Sequence, residues 1–174
     1  EWKTAAKVRT ALSIAIDRQL IVDTLLLGEA QPDPVLAWAA NVNKLPPELR
    51  QWEFNPDKAR EPLAEAGYPD GFDLDITPVS RYNYPEVSEA IGQMWELIGV
   101  KAKQQNMTYA TIRPQIVNRT YNQVYSHQHV AVDPLDRWAI AFRAGNASNF
   151  GADHPILEEL MDKAAGIVDE DERY

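Results

Sequence analysis

The sequence contains no cysteine. Disulfides, thiolate nucleophiles and cysteine-ligated zinc are excluded together, although such a chain suits the cytosol and an oxidising periplasm alike. It has no apolar run near the roughly 18–20 residues that span a bilayer. Clustered positive charge is also missing. Seventeen basic residues stand against 26 acidic ones, a net charge of -9, and the longest basic cluster is only Lys101 and Lys103. Nucleic acid is thereby excluded as a partner, because phosphate contacts need grouped Lys and Arg. Anionic membrane surfaces are disfavoured for the same reason. There is no Gly-x-Ser-x-Gly elbow, phosphate loop or His-Glu-x-x-His, so the commonest hydrolytic and nucleotide chemistries lack their signatures.

What remains is ordinary globular material. The 174 residues suit one domain with a genuine core, and 45% hydrophobic against 25% charged is a balanced composition. Twelve prolines against eight glycines point to fixed turns or long ordered loops. The opening Glu1-Trp2-Lys3 lacks the pattern of a signal peptide. The chain enters a helical pattern almost at once and stops just after another, as a fragment or processed form would.

Val8, Ala11, Leu12, Ala15 and Ile16 form one apolar helical stripe. Asp17 interrupts it and can cap a second helix, with the stripe Leu20, Ile21, Thr24 and Leu25, which Gly28 ends. Residues 29–53 show no period and are punctuated by Pro32, Pro34, Pro46 and Pro47. So long a connection is often functional; the plainer reading is a surface crossing anchored by Trp38 and Trp52. Asn55-Pro56 starts a helix through Ala59, Leu63 and Ala66, in which Pro62 should remove a hydrogen bond and kink the axis.

After the turn Tyr68-Pro69-Asp70-Gly71, the pattern predicts strands near 72–78, 100–106 and 122–128. Helices separate them. The first carries the stripe Val87, Ile91, Met94, Trp95 and Ile98; the second runs from about Tyr109 to Val117. Alternation of this kind argues for an α/β layer with parallel pairing. Right-handed crossovers would place both helices on one face unless other elements intervene in the sheet. Pro134–Phe142 reads as a short helix. A last helix is capped by Asp153 and carries Ile156, Leu157, Leu160, Met161 and Ala164.

Several stretches resemble the family 5 extracellular solute-binding proteins, which serve peptide, oligopeptide and nickel ABC importers. Val8-Arg9-Thr10-Ala11-Leu12-Ser13-Ile14-Ala15-Ile16-Asp17-Arg18 is similar to the family's Val-Arg-x-Ala-x-x-x-Ala-Ile-Asp-Arg helix. Phe54-Asn55-Pro56-Asp57-Lys58-Ala59, followed by Leu63 to Phe72, resembles its helix-turn-strand signature. Ile98-Gly99-Val100-Lys101, Asn149-Phe150-Gly151 with Asp153 to Leu157, and Asp169 to Arg173 follow in the family's order. The resemblance implies one lobe of a two-lobe periplasmic-binding-protein fold, an α/β lobe with a central sheet and flanking helices. On that reading residues 1–174 are a single incomplete lobe: helices over 4–28, a long loop over 29–54 and an α/β core over 55–174. It also implies a missing N-terminal lobe, an ABC transporter permease as partner, and a small peptide or other small solute as ligand. The location implied is periplasmic or extracellular, with a membrane-anchored lipoprotein as one form of the full-length protein.

The candidate site residues lie at or just beyond the ends of predicted strands, where open α/β sheets place their ligand crevice. They are Arg81, Tyr82, Tyr125, His127, His129 and Asp133. In the family the segment after the third strand often reads Ala-Asp-x-x-Asp-Pro, whose first Asp can hold a ligand amine. Here Asp133-Pro134 is present and Val130 stands at the first Asp, so amine recognition there and a standard peptide ligand are in doubt. His127 and His129 share a strand face and could begin a metal site, but no third ligand lies at a convincing spacing. No metal or cofactor is assigned. Arg81, Tyr82 and Tyr84 suit an apolar pocket with a few placed polar groups, and equally a solvated loop. Asp73 and Asp75 read as a solvated strand edge, and Trp138 as core. Binding without catalysis is the expectation. The alternatives are a small α/β hydrolase using carboxylates with His127 or His129, and a sensor module that reuses the lobe.

Overall fold

The computed structural model describes residues 2–33, 43–50, 53–80, 84–120, 124–126, 134–146 and 155–173. Helices α1 (Trp2–Ile14), α2 (Arg18–Leu25) and α3 (Pro56–Glu65) precede β1 (Asp73–Pro78), α4 (Tyr84–Glu96), β2 (Lys101–Gln104), α5 (Tyr109–Asn118) and β3 (Val124–Ser126). Helices α6 (Pro134–Phe142), α7 (Pro155–Ala165) and α8 (Glu170–Arg173) follow. The chain forms two compact units, one of residues 1–32, 52–113 and 121–127 and one of residues 33–51, 114–120 and 128–174.

In the first unit, local chemistry sets the helix ends. The Asp17 carboxylate accepts the Leu20 N–H at 2.9 Å, and the Asn55 side chain accepts the Lys58 N–H at 2.9 Å with Pro56 beginning the helix. Each cap satisfies a donor that the helix cannot. The C-terminal carbonyls of α1 are met from elsewhere in the sequence. Trp95 Nε1 donates to Leu12 O at 2.9 Å, the Asn55 N–H to Ile14 O at 2.8 Å, and the Arg18 guanidinium to Ser13 O at 2.9 Å and, just past the helix, to Ile16 O at 3.3 Å. Pro62 sits inside α3, which nonetheless continues to Glu65.

The three strands are parallel in the order β2-β1-β3. This corrects the expectation of two crossover helices on one face. With β1 central, the first connection moves to one side and the second returns past it. Right-handed crossovers then run over opposite faces of the sheet. Strand β1 is central, and Leu74, Ile76, Thr77 and Pro78 are all buried. Its neighbour β2 carries Lys101 and Lys103 in register with Asp73 and Asp75, so the polar face of this pair is laced with opposite charges.

The other face carries the core, in which Leu74, Ile76 and Val100 meet Ala11 and Ile14 of α1 and the adjoining Ala15, Ala59 and Leu63 of α3, and Trp95 and Ile98. Helix α4 lies close against the sheet, since a Cβ on Gly92 would come within 3.2 Å of the Ala102 Cβ. From Pro85 to Gly99 the buried residues are Ser88, Gly92, Trp95 and Ile98. Val87, Ile91 and Met94 of the expected stripe are half-buried. At the amino-terminal end of the sheet Gly71 and Gly99 touch backbone to backbone. A Cβ on Gly71 would lie 2.0 Å from Gly99 O, and both residues have positive φ, +79° and +85°. Only glycine fits such an approach.

The second unit pairs α6 with α7. Arg143 bonds Asp162 at 2.8 Å, the Ala144 N–H donates to Glu158, and Ala141 and Met161 are buried. Trp138 is half-buried. The apolar stripe expected to be buried on α7 is realised only in part: Ile156 and Leu160 are 59% and 54% exposed. Helix α8 was not foreseen in the sequence. Asp169 accepts the Glu172 N–H at 3.0 Å and so caps it. The Asp153 cap expected for α7 lies outside the described residues.

Candidate functional site at the carboxyl ends of the strands

The strand exits lie side by side. Pro78 is in register with Ser126, and the Val79 N–H donates to Ser126 O at 3.2 Å. On the other side Met107 N–H donates to Pro78 O at 3.1 Å and Ser80 N–H to Met107 O at 2.7 Å. The first crossover leaves β1 for β2 and the second passes from β2 back beyond β1 to β3, and in open α/β sheets the carboxyl ends of strands at such a reversal are where ligands bind.

Of the expected site residues, Tyr125 is among those described. It is half-buried and in register with Thr77. Alternation along the strand puts Tyr125 on the face away from α4 and Ser126 on the α4 face. Arg81, Tyr82, His127, His129 and Asp133 lie outside the described residues, as do Val130 and the four residues 147–150. Asp73 is exposed and Asp75 half-buried on the lysine-bearing face.

One polar contact at the exits was missed in the sequence. Ser88 of α4 is fully buried, and its hydroxyl lies 3.0 Å from that of Ser126. Its signal was present, because Ser88 shares the helical spacing of Ile91 and Trp95. Beside it is a hollow of about 300 Å³ lined by Ser88, Gly92 and Glu96 of α4 and by Ile76, Ala102 and Gln104 of the sheet. Gln104 donates to Asn106 at 2.9 Å, while its buried Oε1 has no hydrogen-bond partner. A larger apolar groove of about 430 Å³ runs between α2 and α4, past Leu20, Leu25, Met94 and Leu97.

Among the described residues, resolved pKa shifts fall away from the strand ends. Burial lowers Arg18, and hydrogen bonds from Lys58 and Asn55 lower the exposed Glu53. No three His, Cys, Asp or Glu gather into a metal-binding group among the described residues. Among them, too, no helix is long and apolar enough to cross a membrane.

Residues 3–149 match the family model described as "Bacterial extracellular solute-binding proteins, family 5 Middle". The chain belongs to this family. It is 28% identical to heme-binding protein A of Haemophilus influenzae over 180 aligned residues, covering 96% of this chain and 32% of that one. It is 37% identical to the glutathione-binding protein GsiB of Salmonella typhimurium over 105 residues, 56% of this chain and 19% of that protein. The structure of a dipeptide-binding protein from Pseudoalteromonas in complex with Met-Leu superposes with a TM-score of 0.78 at 25% identity, covering 96% of this chain and 35% of that one. The chain thus spans about a third of the length of the Haemophilus protein and of that structure. Its small parallel sheet with flanking helices is that of a lobe of the periplasmic-binding-protein fold, and these family 5 relatives are binding proteins by name.

Proposed function

We propose that these residues form a single incomplete lobe of a substrate-binding component of an ABC importer. The lobe helps capture a small peptide or peptide-like solute in a cleft shared with another lobe, for delivery to a membrane permease. The observation that carries this reading is the strand order, which sets the carboxyl ends of β1 and β3 together at the reversal point. Arg81 and Tyr82 follow the first of these ends in sequence, and His127, His129 and Asp133 follow the second. Relatives named for a dipeptide, glutathione and heme support a small extracytoplasmic solute. Val130, where the family often has an acid, argues for a ligand whose amine is held elsewhere or is lacking. Binding without turnover is part of the reading, as is a full-length form tethered outside the cytoplasm as a lipoprotein.

The test is calorimetric titration of the full-length protein and of this 174-residue chain with Met-Leu, glutathione, a dipeptide and tripeptide library, and heme. The full-length protein should bind at least one of them and release it unchanged by mass spectrometry. Solute sites bury about 70–90% of their ligand, so a half-site forfeits several kcal/mol, at about tenfold per 1.4 kcal/mol. A micromolar ligand should fall beyond millimolar on the short chain. Equal affinity for both would place the site wholly within this lobe and refute the shared cleft. Cleavage of the peptide would make the protein a hydrolase. Fractionation of cells with and without globomycin-type inhibition of lipoprotein processing decides the tether.

A further inference from the structure

We propose that the apolar groove between α2 and α4 is a docking surface for a helical segment of a partner protein, one whose single apolar face is bordered by lysine or arginine. The proposal does not depend on the solute-binding reading above.

The groove holds about 430 Å³ and is walled by Leu20, Ile21 and Leu25 of α2, by Ala90 and Met94 of α4, and by Leu97 just beyond it. Its walls repeat at helical spacing, since Ile21 and Leu25 are four apart, as are Ala90 and Met94, with Leu97 three further on. From Ala90 to Leu97 the groove runs about 10 Å at roughly 1.5 Å per residue, or about two turns of helix. A helix laid along it would seat apolar anchors at i, i+3 or i+4, and i+7. The walls are fixed before anything docks, because the Asp17 N–H at the head of α2 donates to Met94 Sδ at 3.3 Å. Leu20 and Leu97 nevertheless stay 49% and 55% exposed. Apolar surface of this kind, rimmed by polar residues, marks protein contacts.

The rim decides which partner fits. Glu86, Glu89, Gln93 and Glu96 are exposed along α4, and Asp23 is exposed on α2. Arg60 donates to Leu97 O at 2.6 Å, but its charge is already paired with Asp57. Arg18 is turned to the carbonyls of Ser13 and Ile16. Acid therefore predominates beside the groove, and an apolar floor with an acidic lip complements an apolar stripe with cationic borders. A second copy of this chain fits poorly, because a two-fold contact would set these carboxylates against one another.

The experiment uses the full-length protein with carbon-13 in its methionine methyl groups, the Met94 signal being assigned by Met94→Leu. The probe is a leucine–lysine amphipathic peptide of about 15 residues, long enough to form a helix. Its controls carry glutamate for lysine, or serine for leucine. The leucine–lysine peptide should shift the Met94 methyl, leave that of the buried Met161 in place, and bind at least about tenfold more tightly than either control. Leu20→Ser and Leu97→Ser alter half-exposed positions that the fold tolerates, and each should weaken binding about three- to tenfold. Glu89→Lys with Glu96→Lys should weaken it as much at low salt and less at high salt, where charge is screened. An unmoved Met94 methyl would overturn the proposal, because the full-length chain would then cover the groove itself. Equal affinity for the lysine and glutamate peptides would also overturn it, making the groove a general apolar site. So would a dimer in ultracentrifugation that Leu20→Ser abolishes, since the occupant would then be a second copy.

Discussion

Replacing Gly71 by alanine tests whether the turn before β1 and the turn before β2 are interlocked. A Cβ at this position would stand 2.0 Å from Gly99 O and 2.2 Å from its carbonyl carbon. An ordinary carbon–oxygen contact is about 3.3 Å, so the two backbones would have to part by roughly 1.3 Å. They cannot part freely, since the Lys101 N–H bonds Phe72 O at 2.9 Å one step further on. The residue also sits at φ +79°, which costs an L-residue about 1–2 kcal/mol. Forced separation of a packed contact adds about 1–3 kcal/mol, for a loss of about 2–5 kcal/mol in all. Gly67 is the internal control. Its φ is +94° and nothing lies within 4 Å of its added Cβ, so Gly67→Ala should lose only the conformational part. Urea titration of the full-length variants, followed by circular dichroism and compared at equal slope, should separate them by about 2 kcal/mol. Equal losses in the two variants would refute the interlock.

Trp95→Phe keeps the ring in the core but strands the Leu12 carbonyl, which now accepts the indole N–H at 2.9 Å. It should cost about 1–3 kcal/mol by the same urea assay. The Glu53 carboxyl is held below its ordinary value by hydrogen bonds from Lys58 and Asn55. The small stability it adds is present above the ordinary carboxylate pKa and fades as pH falls through the lowered one; carbon-detected NMR titration should show its pKa rising in Lys58→Ala. Tyr82→Ala and Asp133→Ala in the full-length protein should weaken ligand binding with the melting temperature nearly unchanged. A large loss of stability at constant affinity would make those residues structural.

Helix starts were legible because capping is local chemistry. Asp17 and Asn55 reach N–H groups only three residues on, and each forms the bond its sequence context implied. Strand positions were legible from alternation, as in Leu74 and Ile76 against Asp73 and Asp75. Strand order was not, since nothing within a strand states its neighbours. The lysines of β2 hint at exposure, yet only the register shows β1 in the middle. On α4 the stripe was legible in Trp95 and Ile98, which reach the core, and in Ile91, which packs against it; the burial of Ser88 and Gly92 was not, because close packing selects small residues. On α7 the stripe was legible, but burial depends on what covers it, and Ile156 and Leu160 remain exposed. Of the candidate site, the sequence located the strand ends; the hydroxyl pair joining α4 to β3 required knowing that residues 38 apart in sequence meet.

The carbonyls that end α1 have a consequence for synthesis. Their partners come from Arg18, Asn55 and Trp95, so the helix is made first among these elements and completed last. While the ribosome has released only the first fifty residues of this segment, two of those carbonyls can be answered only by water. The helix then remains a fraying turn-former, because isolated helices of this length are marginal in water. It locks only when α4 has emerged and turned back on the sheet. A pause in translation before residue 95 would hold this part of the nascent chain open, and one after it would let the unit close.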